Sequence, residues 1–286
     1  MRKMAGLVAV LLLPLSGCSQ MGAHQGLQVV ASFYPLQWVA QRIAGDHASV
    51  SSLTSPGREP HDLELTIQQT ADVESADLVV YEKGLQPAVD DAITTTEPKD
   101  VVNAMSVVTT EQRDGTTDPH VWLDPQNMVR IAHAVETQLS TIDAKHRADY
   151  RSSFDALRRQ LEALDRDFRS GLRHCSLDTV VVSHDAYGYL PTPFTFEGID
   201  ALSPDSEPSP ARLTQLHDLI QSQHLTTVFT EPLGSPAMAD TLASSAGVQT
   251  AVLDPIEGLS DKTSDQNYLT LMRQDLAALR KANSCQ

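Results

Sequence analysis

Three histidines in this chain stand where a side chain can reach a ligand. His61 lies in "SPGREPHDLELT", His120 in "TTDPHVWLDPQN" and His184 in "VVVSHDAYGYL". Each occurs where a strand-like run gives way to a loop, and in open α/β sheets ligands bind at the carboxyl ends of the strands, so the three imidazoles can converge. A carboxylate can complete the set, because Asp254 and Glu257 both follow the run "TAVL" in "TAVLDPIEGLSD". Three nitrogen donors and one oxygen donor suit a borderline cation such as zinc, whereas an all-carboxylate set would suit calcium or magnesium. The histidines are 59 and 64 residues apart, which matches no local zinc motif, so spacing alone does not establish a site.

The residues around them set a frame. Two Asp-Pro steps bracket His120, and proline fixes φ and donates no N–H, so His120 belongs to an ordered turn. Asp124 is placed to cap a helix that begins at Pro125 and continues through "QNMVRIAHAVETQL". Asp185 is a candidate to orient the His184 ring, since metal-bound histidines commonly give their other N–H to an acceptor. Glu59 can replace or supplement the fourth ligand, although it reads as a surface carboxylate. Trp122, Tyr187 and Tyr189 read as packing residues, and the remaining seven histidines as surface positions or supports behind the ligands, His24 lying in the tether.

The elements that must position these groups alternate. "LQVVASF", "SVSSL", "DLVVY" and "DVVNA" read as strands with helical stretches between them, and the rhythm returns in "DTVVVSH", "PFTFEGI", "TTVFT" and "QTAVLD". Strands alternating with helices predict parallel βαβ units, hence an α/β fold of two lobes. Residues 27–142 form the first lobe and 174–286 the second. Between them, residues 143–173 carry no proline, and Tyr150, Phe154, Leu157, Leu161, Leu164, Phe168 and Leu172 recur every three or four positions. That stripe predicts one linking helix, about 45 Å long, packed across both lobes.

The N-terminus has Arg2 and Lys3, an apolar run and small residues before Cys18, the layout of a secretory signal over residues 1–17. "LSGC" resembles a lipobox, which implies cleavage before Cys18, a lipid on its sulfur and a tether over 18–26. The product is expected at the outer face of the cytoplasmic membrane, periplasmic or extracellular, anchored without spanning it. In an exported chain Cys175 and Cys285 are expected to form a disulfide, with two free thiols as the alternative. The formal net charge of −16 argues against nucleic acid as a partner. Among enzyme motifs, there is no H-E-x-x-H, no G-x-S-x-G elbow and no glycine-rich phosphate loop, so catalysis is not expected.

With these residues in view, a family resemblance stands out. "VVASFYPLQWVAQRIAGD", "GREPHDLELT", "ADLVVYEKGLQPAVDDAI", "DPHVWLDPQN", "VVSHDAYGYL", "LSPDSEPSPARL", "VFTEPLGSP" and "GVQTAVLDPIEGL" resemble, in that order, the metal-binding lipoproteins of ABC-type zinc and manganese importers. The resemblance implies two α/β lobes joined by a backbone helix, with one ion in the cleft between them and delivery to a membrane permease. It carries His61, His120 and His184 over as the first three ligands. The fourth is Glu257 or Asp254, with Glu257 ranked first. Histidine rather than glutamate at the third position implies zinc, with manganese or iron as the alternative cargo. A monomer is expected, and an adhesin role is the other activity that the resemblance brings. One departure is the short segment "TTEQRDGTTDPH", where many zinc-specific members carry a long His- and acid-rich loop; storage of zinc there is not expected.

Overall fold

The structure is a computed structural model, and it describes residues 26–113, 115–200 and 208–286. The expected signal segment, Cys18 and His24 lie outside the described residues. Among the described residues no helix is long and apolar enough to cross a membrane.

The first lobe is built on β1 (Leu27–Ala31), β2 (Ala48–Ser52), β3 (Leu78–Tyr81) and β4 (Val101–Asn103), with α1 (Tyr34–Ala44), α2 (Ile67–Ser75) and α3 (Pro87–Thr96) as crossovers. Its sheet is wholly parallel, in the order β2-β1-β3-β4. A short antiparallel pair, β5 (Gln112–Arg113) and β6 (Thr116–Thr117), precedes α4 (Pro125–Ile142). The second lobe carries β7 (Thr179–His184), β8 (Thr195–Asp200), β9 (Thr227–Thr230) and β10 (Gln249–Val252), with α6 (Pro210–Gln223), α7 (Ala237–Ala246) and α8 (Tyr268–Ala282). Its order, β8-β7-β9-β10, repeats that of the first lobe. In each, the second strand lies to one side of the first and the third to the other. That leaves a switch point beside β1 and another beside β7, the crevice where such sheets bind ligands.

Local signals explain the elements. The interior strands β3, β7 and β9 are buried along their whole length and carry apolar centres flanked in β7 and β9 by polar ends, while the edge strands β2 and β10 keep polar, partly exposed residues. Asp124 accepts the Gln126 N–H at 2.8 Å at the start of α4, with Pro125 in the first turn, as its sequence predicts. Thr66 with Gln69, and Asn267 with Thr270, form reciprocal caps at α2 and α8.

The linking helix, α5, runs Arg147–Gly171. It is shorter at both ends than the stretch 143–173. Asp143 closes α4 by donating its N–H to the Leu139 carbonyl, and a tight turn at Ala144–His146 separates the two helices. Its stripe is buried as expected, from Tyr150 through Phe168, and Leu172 continues it just past the end. The stripe belongs to one core shared by both lobes, which includes Leu36, Val39, Met128 and Ile131 on one side and Val180, Phe229, Met272 and Leu279 on the other. Cys175 and Cys285 are joined in a disulfide that ties the end of the chain to the start of the second lobe.

Candidate metal centre

His61 lies in the loop after β2, His120 in the loop between β6 and α4, His184 at the last position of β7, and Glu257 in the loop after β10. One donor atom from each lies within 4.8 Å of every other. Glu257 Oε1 is 3.3 Å from His61 Nε2, 3.4 Å from His120 Nε2 and 3.9 Å from His184 Nδ1. The three rings crowd together, with centroids 4.9 to 5.7 Å apart. His120, His184 and Glu257 are buried and the His61 side chain is nearly so. Among the described residues, His120 Nε2 and Glu257 Oε2 have no hydrogen-bond partner. Buried polar atoms are seldom left unpaired, and His120 Nε2 belongs to the group, 3.4 Å from Glu257 Oε1. This donor set fits a divalent cation of zinc's character.

The second nitrogen of His120 and the loop backbones are held by hydrogen bonds, whereas His184 Nδ1 faces both Glu257 and Glu231. Asp118 Oδ1 accepts both the His120 backbone N–H, at 3.0 Å, and its ring at Nδ1, at 2.8 Å, which leaves Nε2 facing the cleft. Glu231, the first residue beyond β9, brings Oε2 to 3.3 Å from His184 Nδ1. Asp185 does not take the orienting role that its position beside His184 suggests; it pairs instead with Arg113 at 2.8 Å. Glu59 is half-buried rather than a surface group, and burial followed by repulsion from Glu257 pushes its carboxyl up to about 9.

The loop after β10 places the two candidate carboxylates differently. Asp254 Oδ1 accepts the Ile256 N–H at 2.7 Å, and the Asp254 N–H is given to Asp275, so this side chain is spent on the turn and stands outside the group. The Trp122 indole N–H holds the Pro255 carbonyl at 2.7 Å. Ile256 has φ +58°, a left-handed conformation costly for a β-branched residue. These bonds fix the bend that turns Glu257 into the cleft.

Charge follows the geometry. Burial alone would lower the His120 pKa, but the hydrogen bond to Asp118 and the Glu257 carboxylate outweigh it and push it up to about 9. His184 is raised in the same way, against burial, by Glu231 and Glu257. Burial works to raise Glu257, yet the neighbouring histidines hold it well below the usual carboxylate range. Burial raises Asp254 to about 7. Glu82, at the end of β3, is fully buried, both its oxygens lack hydrogen-bond partners among the described residues, and burial raises its pKa well above the usual range. The sequence gives no periodicity for Asp118, Glu231 or Glu82. Their one shared signal is position, just beyond a strand or two residues before a ligand-bearing turn.

The family model described as zinc-uptake complex component A, periplasmic (ZnuA), matches residues 29–282. The chain belongs to this family. Among ZnuA-family relatives, the zinc-binding lipoprotein AdcA of Streptococcus pneumoniae is 30% identical over 98% of this chain and 61% of its own length. The chain thus spans about three fifths of AdcA. The crystal structure of Zn(II)-bound AdcA superposes with a TM-score of 0.79 at 30% identity, covering 90% of this chain and 58% of that one. The high-affinity zinc uptake system protein ZnuA of Bacillus subtilis is 29% identical over 89% of this chain and 86% of its own. The laminin-binding protein Lmb of Streptococcus agalactiae, described as bifunctional with adhesin and metal transporting activity, has a TM-score of 0.83 at 27% identity, over 90% and 99% of the two chains.

Proposed function

We propose that this chain is the extracytoplasmic zinc receptor of an ABC-type importer. His61, His120 and His184 supply nitrogen ligands and Glu257 the oxygen ligand, while Asp118 steadies the His120 ring, Glu231 lies beside His184 and Asp254 holds the turn that presents Glu257. The observation that carries this reading is the convergence of four donor atoms, three of them on buried residues, from both lobes and within 4.8 Å. Zinc suits three imidazoles and one carboxylate; manganese would favour more oxygen donors. Four protein ligands close the coordination sphere, so the site is built for carriage rather than for activating water, and no catalytic step is assigned. A lipid on Cys18 keeps the receptor, a monomer, at the membrane surface, where it delivers its cargo to a permease.

Native mass spectrometry of the mature chain, after exposure to equimolar zinc and manganese, tests the reading. One zinc per wild-type chain is expected, with the preference for zinc weakened in His184→Glu. Manganese retained over zinc, or no metal retained, would refute it. The likeness to Lmb favours a second reading, surface attachment. Normal metal import with lost attachment in a deletion strain would select that one.

A further inference from the structure

The β5–β6 pair stands in the place of the departure noted in the sequence, directly before the His120 turn, and it reaches into the other lobe. Arg113, on β5, extends its guanidinium between two carboxylates of different lobes. Its Nη1 donates to Asp185 Oδ1 at 2.8 Å and stands 4.0 Å from Asp118 Oδ2. Asp118 holds the His120 ring through its other oxygen, and Asp185 follows His184 in the chain. Asp118 Oδ2 is buried and has no hydrogen-bond partner among the described residues, so the nearby guanidinium is what answers its charge.

Packing at this junction is close. A Cβ on Gly188 would come within 2.5 Å of Asp118 Oδ2 and 3.2 Å of Arg113 Nη1, so a side chain there would push the pair out of its present place. Beside it, the Tyr189 hydroxyl accepts the Glu111 N–H at 2.7 Å and donates to the Asp118 carbonyl at 3.1 Å. Both flanks of Arg113 are therefore stitched to the second lobe.

On the receptor reading above, on which this step rests, we infer that Arg113 is a cross-lobe positioning residue that links the Asp118–His120 pair to the Asp185–His184 corner and so governs how fast the two ligand loops part. The planar fork of arginine can serve two carboxylates at once, which the point charge of lysine does less well. Opening the cleft separates Arg113 from Asp185, and the attraction lost between the two lobes falls on the release step. The intact pair, being partly solvated, adds little to the stability of the metal-free fold.

Zinc release from the mature chain into excess chelator, followed by stopped flow, tests this in wild type, Arg113→Ala, Asp185→Ala and the double variant. Each single variant is expected to release zinc about tenfold faster, and the double variant no faster than either, because both remove one link. The melting midpoint of the metal-free protein is expected to move little. Unchanged release in the single variants, effects that multiply in the double variant, or faster release matched by an equal loss of metal-free stability would each overturn the inference. A wild type that retains no zinc would sink the receptor reading and this inference with it, a result visible without any substitution.

Discussion

At His120 the ring is bonded at Nδ1 by Asp118 and turns Nε2 toward Glu257, so in the protonated ring the atom that would meet a cation carries a proton. With its pKa pushed up to about 9, against burial, by the Asp118 and Glu257 carboxylates, the imidazole is charged at neutral pH. A metal needs the lone pair, so loading expels a proton. The metal-free site thus binds more protons than the loaded one, and affinity rises with pH up to about 9 and falls in acid. Below that point each pH unit of acidification should weaken zinc binding about tenfold for each proton displaced. Titration calorimetry near neutral pH, in buffers of unequal ionisation enthalpy, should count at least one proton released per zinc; a count of zero would show that His120 is already neutral.

α5 is the element on which both lobes depend. Leu161 is fully buried in the core shared by the two, and α5 packs against α1 and α4 on one side and α8 on the other. Its truncation leaves a cavity that a long, well-packed helix cannot collapse, so Leu161→Ala should cost about 2–5 kcal/mol. Urea unfolding of the metal-free protein should show that loss in a single transition. Two separated transitions, or a loss under about 1 kcal/mol, would mean that the lobes are stabilised independently of the helix. The stripe behind this prediction was legible because its apolar spacing holds over the whole helix. The helix ends were not, since Asp143 and the turn after it have helix-compatible residues and their break is set by hydrogen bonds.

Across the whole molecule, the lobes are joined by more than α5. Trp122 holds the Pro255 carbonyl, Tyr268 donates to the Trp122 carbonyl, and the Gly57 N–H reaches the Leu259 carbonyl at 2.7 Å. Together with a continuous core, these bonds favour small rocking of one lobe on the other over a wide hinge swing. Small-angle scattering profiles with and without zinc should nearly superpose, and a marked compaction on loading would contradict this.

Read alone, the sequence showed the alternation of strands and helices, the long linking stripe and the three histidines that the fold brings together, because each is written in local pattern or in motifs that keep their order. It could not choose between Asp254 and Glu257, three residues apart in one loop. That choice belongs to the bend at Ile256, which Asp254 itself stabilises and which Trp122, from the other lobe, helps to fix. It also set Asp185 beside His184, where the folded chain gives that carboxylate to Arg113 and brings Glu231 to the ring. The physical reason is common to both cases. Which neighbour a strand-end side chain meets depends on the packing of loops far apart in sequence, and no local periodicity encodes that.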